Sequence, residues 1–358
     1  MKDLRDFIQK CEEEGELARI KPEVDWYLEL SHIAKLNEEK GGPALLFENV
    51  KDYNSPVLTS ACTTTNRLAL IMGMPKNTTL VELMREWVKR TRLRIPPQWV
   101  DTGPCKENID KGDQINLLKF PVPHVYPKDG GRYFGTAVYV VSKDPDTGWV
   151  NLGTYRLQIL DEKTLGTQFI KGKHADQMLK KYAERKQSMP VAAVIGGDPL
   201  MFLMGAARLP ASISEYEFAG AIRGAPIEVV KGETVDLPIP ATAEIVVEGE
   251  VDPFAFLPEG PFGEYTGYYS GVGTSPRNFI KVNCITYRNN PIFWGTTVGR
   301  AVTDTHMTMA LTYGSTLWQE LETMHIPGIK SVYCPPEGAG RFLAIISVKQ
   351  MYPGHSAQ

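Results

Sequence analysis

The chain has too few cysteines, and too widely spread, to build anything from them. Its five (Cys11, Cys62, Cys105, Cys284 and Cys334) are odd in number, scattered, and free of any CxxC pair. That excludes a disulfide framework and a structural zinc ribbon, and fits a reducing, cytoplasmic setting. There is no excess of charge: 39 Lys and Arg stand against 42 Asp and Glu, for a formal net charge of −3. A basic footprint for nucleic acid or an anionic membrane is therefore missing. No apolar run approaches the length of a membrane span, and the opening Met1-Lys-Asp-Leu-Arg-Asp6 has no apolar signal core. Internal repeats and low-complexity tracts are absent. What is left is an ordinary globular composition, 358 residues long, with room for two or three domains.

Periodicity divides the chain. Leu4, Phe7, Ile8 and Cys11 recur at helical spacing over residues 3–14, with Asp3 as N-cap. A second helix is predicted over 28–39, ending before Gly41-Gly42, and a third over 79–93 on Leu80, Leu83, Met84 and Trp87. Ala44-Leu-Leu-Phe47 reads as a buried strand. These elements predict a small N-terminal α/β domain, residues 1–115. Its end, from Ile95-Pro-Pro97 through the polar stretch 101–115, reads as a linker. From Pro121 the pattern turns to strands: 136–141, 151–160, 190–195, 243–247 and 278–282, with turns at Asp129-Gly-Gly131 and Asp146-Thr-Gly148. Residues 116–303 are thus strand-dominated and able to curl into a barrel. Ser214-Glu-Tyr-Glu217 fits a capping box, which puts Glu215 in a first helical turn. A helix over 305–321 and strands over 329–333 and 341–348 open a third unit, 304–358. Tyr352-Pro-Gly-His-Ser-Ala-Gln358 reads as a helix start with no helix after it, so the expectation is a truncated third domain.

Two constellations can carry chemistry. Arg156, in Asn151-Leu-Gly-Thr-Tyr-Arg156, and Glu259 and Glu264, in Pro258-Glu-Gly-Pro-Phe-Gly-Glu264, offer one guanidinium and two carboxylates. The arginine can hold a substrate carboxylate and one glutamate while the other glutamate carries a proton. The Gly- and Pro-rich run puts both glutamates on a shaped turn. On residue type alone, a structural ion pair and a catalytic set stand level. Asn151, His174 and Glu215 combine an amide oxygen, an imidazole and a carboxylate, a set suited to an octahedral, oxygen-preferring ion such as Mn²⁺ or Mg²⁺. Their wide spacing is weak support, and on the residues alone a strand Asn bonding a turn, a surface His and a carboxylate in a capped turn is the stronger reading. His124, His306 and His325 read as packing or surface residues, and His355 as a cap.

Taken together, these runs resemble the UbiD family of prenylated-FMN-dependent, reversible decarboxylases. The resemblance rests on Asn151 to Arg156, His174, Ile213-Ser-Glu215, Glu259 to Glu264, Asn283-Cys-Ile-Thr-Tyr-Arg-Asn289 and the terminal Tyr-Pro-Gly-His355. It extends over nearly the whole chain. It implies an N-terminal α/β domain, a split β-barrel that binds the flavin, and a partial C-terminal α/β domain for oligomerisation. It implies Mn²⁺ on Asn151, His174 and Glu215, with the cofactor phosphate in further positions. It implies K⁺ at Trp149, Met204, Gly205 and Ala207, with Glu215 shared. Thr136, Gly153, Thr154, Tyr155, Arg156, Lys173 and Ala207 are implied beside the cofactor. Arg156 and Glu259 are implied to pair next to the reactive ring, with Glu264 as the acid that protonates the product carbon. The run Met204-Gly-Ala-Ala-Arg208 departs from the small-Ser-Met-Pro pattern of some fungal members.

The implied reaction is loss of CO₂ from an aromatic, heteroaromatic or α,β-unsaturated acid, or its reverse. A cofactor is needed because the sp² carbanion left behind cannot delocalise into the π system. The implied partners are the small acid, a flavin prenyltransferase that supplies the cofactor, and further copies of the chain in a homo-oligomer. Thr297, Val298, Arg300 and residues 302–306 are candidates to line the substrate. Two other readings remain open: a carboxylase subunit active only with partner chains, and a truncated flavin binder without catalysis.

Overall fold

The computed structural model describes residues 1–269 and 273–355. Ser356 to Gln358, the last part of the expected helix start, lie outside them. The N-terminal unit forms where expected. Helix Leu4–Glu13 starts on Asp3, whose carboxylate accepts the Asp6 amide at 2.9 Å, and it buries Leu4, Phe7, Ile8 and Cys11. Helix Glu29–Glu39 follows. Helix Leu80–Arg90 starts on Thr79, bonded in both directions with Glu82, as a capping box requires. A four-stranded sheet lies among these helices in the order Leu17–Ile20, Ala44–Phe47, Val57–Thr59 and Phe293–Trp294. Its last strand comes from far along the chain and ties the N-terminal unit to the segment after residue 294.

The centre of the molecule is a nine-stranded antiparallel sheet. Eight strands follow the path 133–135, 157–161, 164–167, 279–287, 245–251, 189–195, 138–143 and 150–153. The middle strand, Met189–Ile195, pairs along its length with both neighbours and is almost wholly buried, which explains its unbroken apolar run. The path does not return from its last strand to its first, so the sheet is a half-barrel.

Two expectations are revised. The expected strand 151–160 is two strands, Val150–Gly153 and Leu157–Asp161, which belong to opposite ends of the half-barrel path. Residues 154–156 therefore carry the chain across the split. The expected linker contributes the ninth strand, Asn108–Lys111, paired with Phe279–Tyr287. Its polar, alternately exposed residues suit a sheet edge. Helix Asp304–Thr323 then packs on helices Leu80–Arg90 and Pro199–Ala206. Of the two expected C-terminal strands, Ile329–Tyr333 forms as read and its partner is shorter, Ile345–Val348. All five cysteines are free and buried. Among the described residues, no helix is long and apolar enough to cross a membrane.

Candidate active site

The crossing at residues 154–156 opens onto a cavity of about 630 Å³. Its walls include Thr136 from the first edge, Asn151 to Arg156 from the crossing, Lys173 and His174, Gly205 to Leu209, and Glu215. Phe262, Glu264 and Tyr265 close another side, and Val298, Thr305, Thr308, Met309, Tyr313 and Arg341 complete it. The size is that of a pocket for a cofactor-sized ligand.

Arg156 is the charge centre. Its Nε and Nη2 donate to the two oxygens of Glu259 at 2.9 and 2.7 Å, a planar fork, and Nη1 donates to Glu264 at 2.5 Å. The Glu259 side chain is fully buried, whereas Glu264 reaches the cavity wall. Burial alone lowers the pKa of Arg156, but the bonded Glu259 and neighbouring Glu264 outweigh it and raise the pKa above its ordinary value. The guanidinium also lies over the Phe262 ring, 5.2 Å from its centre.

The turn that brings the glutamates together depends on glycine. Gly260 sits at φ +92°, and Gly130 packs so close that a Cβ there would lie 2.1 Å from the Gly260 carbonyl oxygen. Tyr133 and Gln158 support the turn: the Tyr133 hydroxyl donates to Glu259 at 3.1 Å, and the Gly260 amide donates to Gln158 at 2.7 Å. Neither residue stands out in the sequence, because each reaches the turn from a distant strand.

The second constellation also converges. His174 opens helix His174–Glu184, and its Nδ1 lies 2.9 Å from Asn151 Oδ1. Burial, followed by the Lys173 charge, lowers the His174 pKa and favours a neutral imidazole. Glu215 opens helix Glu215–Arg223, where the Ser214 amide donates to the Glu217 carboxylate at 3.4 Å. The Glu215 carboxylate accepts the Leu152 amide at 2.7 Å. Burial pushes its pKa up to about 8, although that amide and its own pull it back. A carboxylate so deeply buried requires a proton or a cation. Among the described residues, no three His, Cys, Asp or Glu side chains form a metal-binding group. This set has an amide, Asn151, in the third place, and its N/O donors fit an ion of the Mn²⁺ or Mg²⁺ type.

The residues considered for K⁺ divide. Gly205 and Ala207 line the cavity with Glu215, whereas Trp149 and Met204 are not on its wall. The carbonyls of Trp149, Met204 and Gly205 already accept the amides of Asp144, Ala207 and Thr154 at 2.8, 3.0 and 3.0 Å. Each keeps one lone pair for an ion. Thr136, Gly153, Thr154, Tyr155 and Lys173 all face the cavity.

Of the substrate-lining candidates, Val298 and Thr305 reach the cavity. Thr297 turns away and donates to the buried Glu38 at 2.7 Å, while the Arg300 carbonyl accepts from Lys35 at 2.5 Å. His306, read as a packing residue, is buried but bonded at both ring nitrogens.

Comparison with known proteins matches this architecture. Profiles of 3-octaprenyl-4-hydroxybenzoate carboxy-lyase cover the chain in three parts: its N-terminal domain at residues 8–87, its Rift-related domain at 98–301, and its C-terminal domain at 306–358. Vanillic acid decarboxylase from Sedimentibacter hydroxybenzoicus, in closed form, superposes with a TM-score of 0.92 at 33% identity, over 100% of this chain and 76% of that one. An evolved dimeric form of the UbiD-class enzyme HmfF from Pelotomaculum thermopropionicum, solved with prFMN, has a TM-score of 0.92 at 30% identity, over 99% and 81%. An uncharacterized Archaeoglobus fulgidus protein is 37% identical over 99% of this chain and 75% of its own length. The half-barrel with its flanking α/β units is thus the architecture of a decarboxylase class. Specifically, the chain belongs to the UbiD family.

Proposed function

We propose that the protein is a decarboxylase, reversible in principle, of an aromatic, heteroaromatic or α,β-unsaturated carboxylic acid, using prenylated FMN with Mn²⁺ and K⁺. The observation that carries this reading is Arg156, forked to Glu259 and joined to Glu264 at the cavity wall. Prenylated FMN, when bound, supplies the electron acceptor that an sp² carbon losing CO₂ otherwise lacks.

The chain's own residues do the rest. Asn151, His174 and Glu215 would hold the divalent ion, which would supply positive charge for the phosphate of a bound cofactor. Gly205, Ala207 and Glu215, with the carbonyls of Trp149 and Met204 behind the cavity wall, would hold K⁺. Thr136, Gly153, Thr154, Tyr155 and Lys173 shape the cofactor wall.

Arg156 has five N–H groups, and the two glutamates take three. The remaining two, one on each terminal nitrogen, receive the substrate carboxylate. Glu259 stays forked to the guanidinium and fixes its plane. The substrate carboxylate is thereby held next to Glu264, which lines the same cavity. Glu264 takes up a proton from solvent before the site fills, delivers it to the carbon that has lost CO₂, and is left as a carboxylate that solvent reprotonates once the product leaves. Phe262 and Val298, both buried at the cavity, exclude water from that step.

Glu264→Gln tests the assignment. The amide keeps the size of the side chain but cannot pass the proton. The variant should retain bound flavin and lose turnover, read as CO₂ release from a panel of aromatic and acrylic acids. Full turnover in Glu264→Gln would remove Glu264 from the mechanism. The reading also calls for a flavin prenyltransferase as the source of cofactor and for assembly of the chain into a homo-oligomer.

A further inference from the structure

Glu264 lies between two peptide groups, each bonded to a buried side chain from elsewhere in the fold. On its N-terminal side, the Gly263 amide donates to Asp129 Oδ1 at 2.8 Å. The other oxygen of Asp129 accepts the Tyr126 amide at 3.0 Å. On its C-terminal side, the Tyr265 carbonyl lies 2.7 Å from His306 Nε2. The same ring is bonded at Nδ1 by the Thr303 backbone amide at 3.1 Å.

These contacts fix the protonation pattern. A backbone amide can only donate, so Nδ1 is the acceptor. A carbonyl can only accept, so Nε2 carries the hydrogen. His306 is therefore a neutral imidazole in its Nε2–H form, consistent with its complete burial. Both Asp129 oxygens accept N–H donors; burial pushes its pKa up to about 6, and those two amides pull it back toward the carboxylate.

We propose that Asp129 and His306 are positioning residues, a two-sided clamp on the Gly263 amide and the Tyr265 carbonyl on either side of Glu264 that holds its carboxyl in reach of Arg156 and of the substrate. This rests on the decarboxylase reading. The need for a clamp is local. The run 259–267 has glycine at 260, 263 and 267; the Glu264 amide donates to the Tyr268 carbonyl at 3.2 Å and its carbonyl accepts the Gly267 amide at 2.9 Å, bonds that tie the loop to itself but not to the scaffold. A displacement of about 1 Å in a reacting group costs on the order of a hundredfold in rate. The clamp draws on two separate parts of the fold: the segment that precedes the half-barrel, and the first turn of helix Asp304–Thr323.

His306 occupies the third position of that helix, where a capping box usually has Glu or Gln. Glutamate can accept from the Thr303 amide but has no donor for the Tyr265 carbonyl. Glutamine has both. The pair His306→Glu and His306→Gln therefore separates helix capping from the clamp.

The test has two readouts. Hydrogen–deuterium exchange of the 260–269 segment is measured in flavin-free protein, with helix Asp304–Thr323 as internal control. Then kcat and KM are measured in flavin-loaded protein. His306→Glu should speed exchange in the loop by about tenfold with the helix unchanged. It should also lower kcat by about tenfold or more at nearly constant KM. His306→Gln should stay near wild type in both. Wild-type loop exchange in His306→Glu, or a kcat loss that His306→Gln shares, would overturn the clamp. If His306→Glu does not fold, Asp129→Asn replaces it, since one of its two acceptor oxygens becomes a donor. Wild-type protein that loads flavin but turns over no acid would count against the decarboxylase reading alone, and loop exchange would still decide the clamp.

Discussion

Arg156 and Glu259 are a buried ion pair, whatever their part in the proposed chemistry. Glu259 is wholly shielded, and Arg156 loses most of its water. Removing one member strands the other. Glu259→Ala should therefore destabilise the protein by about 3 kcal/mol, seen as a lower urea midpoint at unchanged m-value. An effect within the range of a surface substitution would mean that water reaches the guanidinium. Arg156, Glu259 and Glu264 could be found in the sequence because they sit in two unusual runs. Asp129 and His306 could not be found that way. Asp129-Gly-Gly131 reads as a turn, and nothing in its spacing shows that its carboxylate serves an amide at residue 263. His306 left one faint signal: it stands three residues after Thr303, in the place of a capping-box Glu or Gln.

Helix Asp304–Thr323 begins on an unusual footing. Asp304 is completely buried and accepts the Cys62 amide, and nearby Glu38 is bonded by Thr297 and Ser60. Burial, and then Asp304, push the Glu38 pKa up to about 8; burial pushes Asp304 up to about 6. Both carboxyls thus hold their protons more tightly in the fold than in the unfolded chain. Their contribution to stability is full below the ordinary carboxylate pKa and is lost as pH rises through about 6 and then about 8. Glu38→Gln removes the Glu38 share of that loss. Its Tm, relative to wild type, should climb between about pH 5 and about pH 9. A difference that does not change with pH would show that Glu38 does not titrate in this range. The first helix was legible because Asp3 marks its start, and the helix at Leu80–Arg90 because Leu80, Leu83, Met84 and Trp87 recur at helical spacing. The break at residues 154–156 was not, since Thr154, Tyr155 and Arg156 continue the strand-like run without a turn residue. Only the pairing of its two halves with opposite ends of the half-barrel shows that the chain crosses there.

At the scale of the whole molecule, the half-barrel and the segments flanking it together enclose the cavity beside Arg156 where the proposed cofactor would sit. The composition revealed none of this. The α/β and strand-rich halves were legible from periodicity, and the half-barrel reading came from the motif resemblance. The sheet path itself depends on pairings between segments more than a hundred residues apart, such as 164–167 with 279–287. Ligand loading should be visible in stability, because whatever binds only the folded form raises Tm by mass action. Chelation of the divalent ion should lower Tm and release flavin together if Asn151, His174 and Glu215 hold both. The most direct test is mass spectrometry of the small molecules and metals released by the chain after co-expression with a flavin prenyltransferase. The account predicts prenylated FMN with about one Mn²⁺ per chain, both lost in His174→Ala. Folded wild-type protein that carries neither would contradict it.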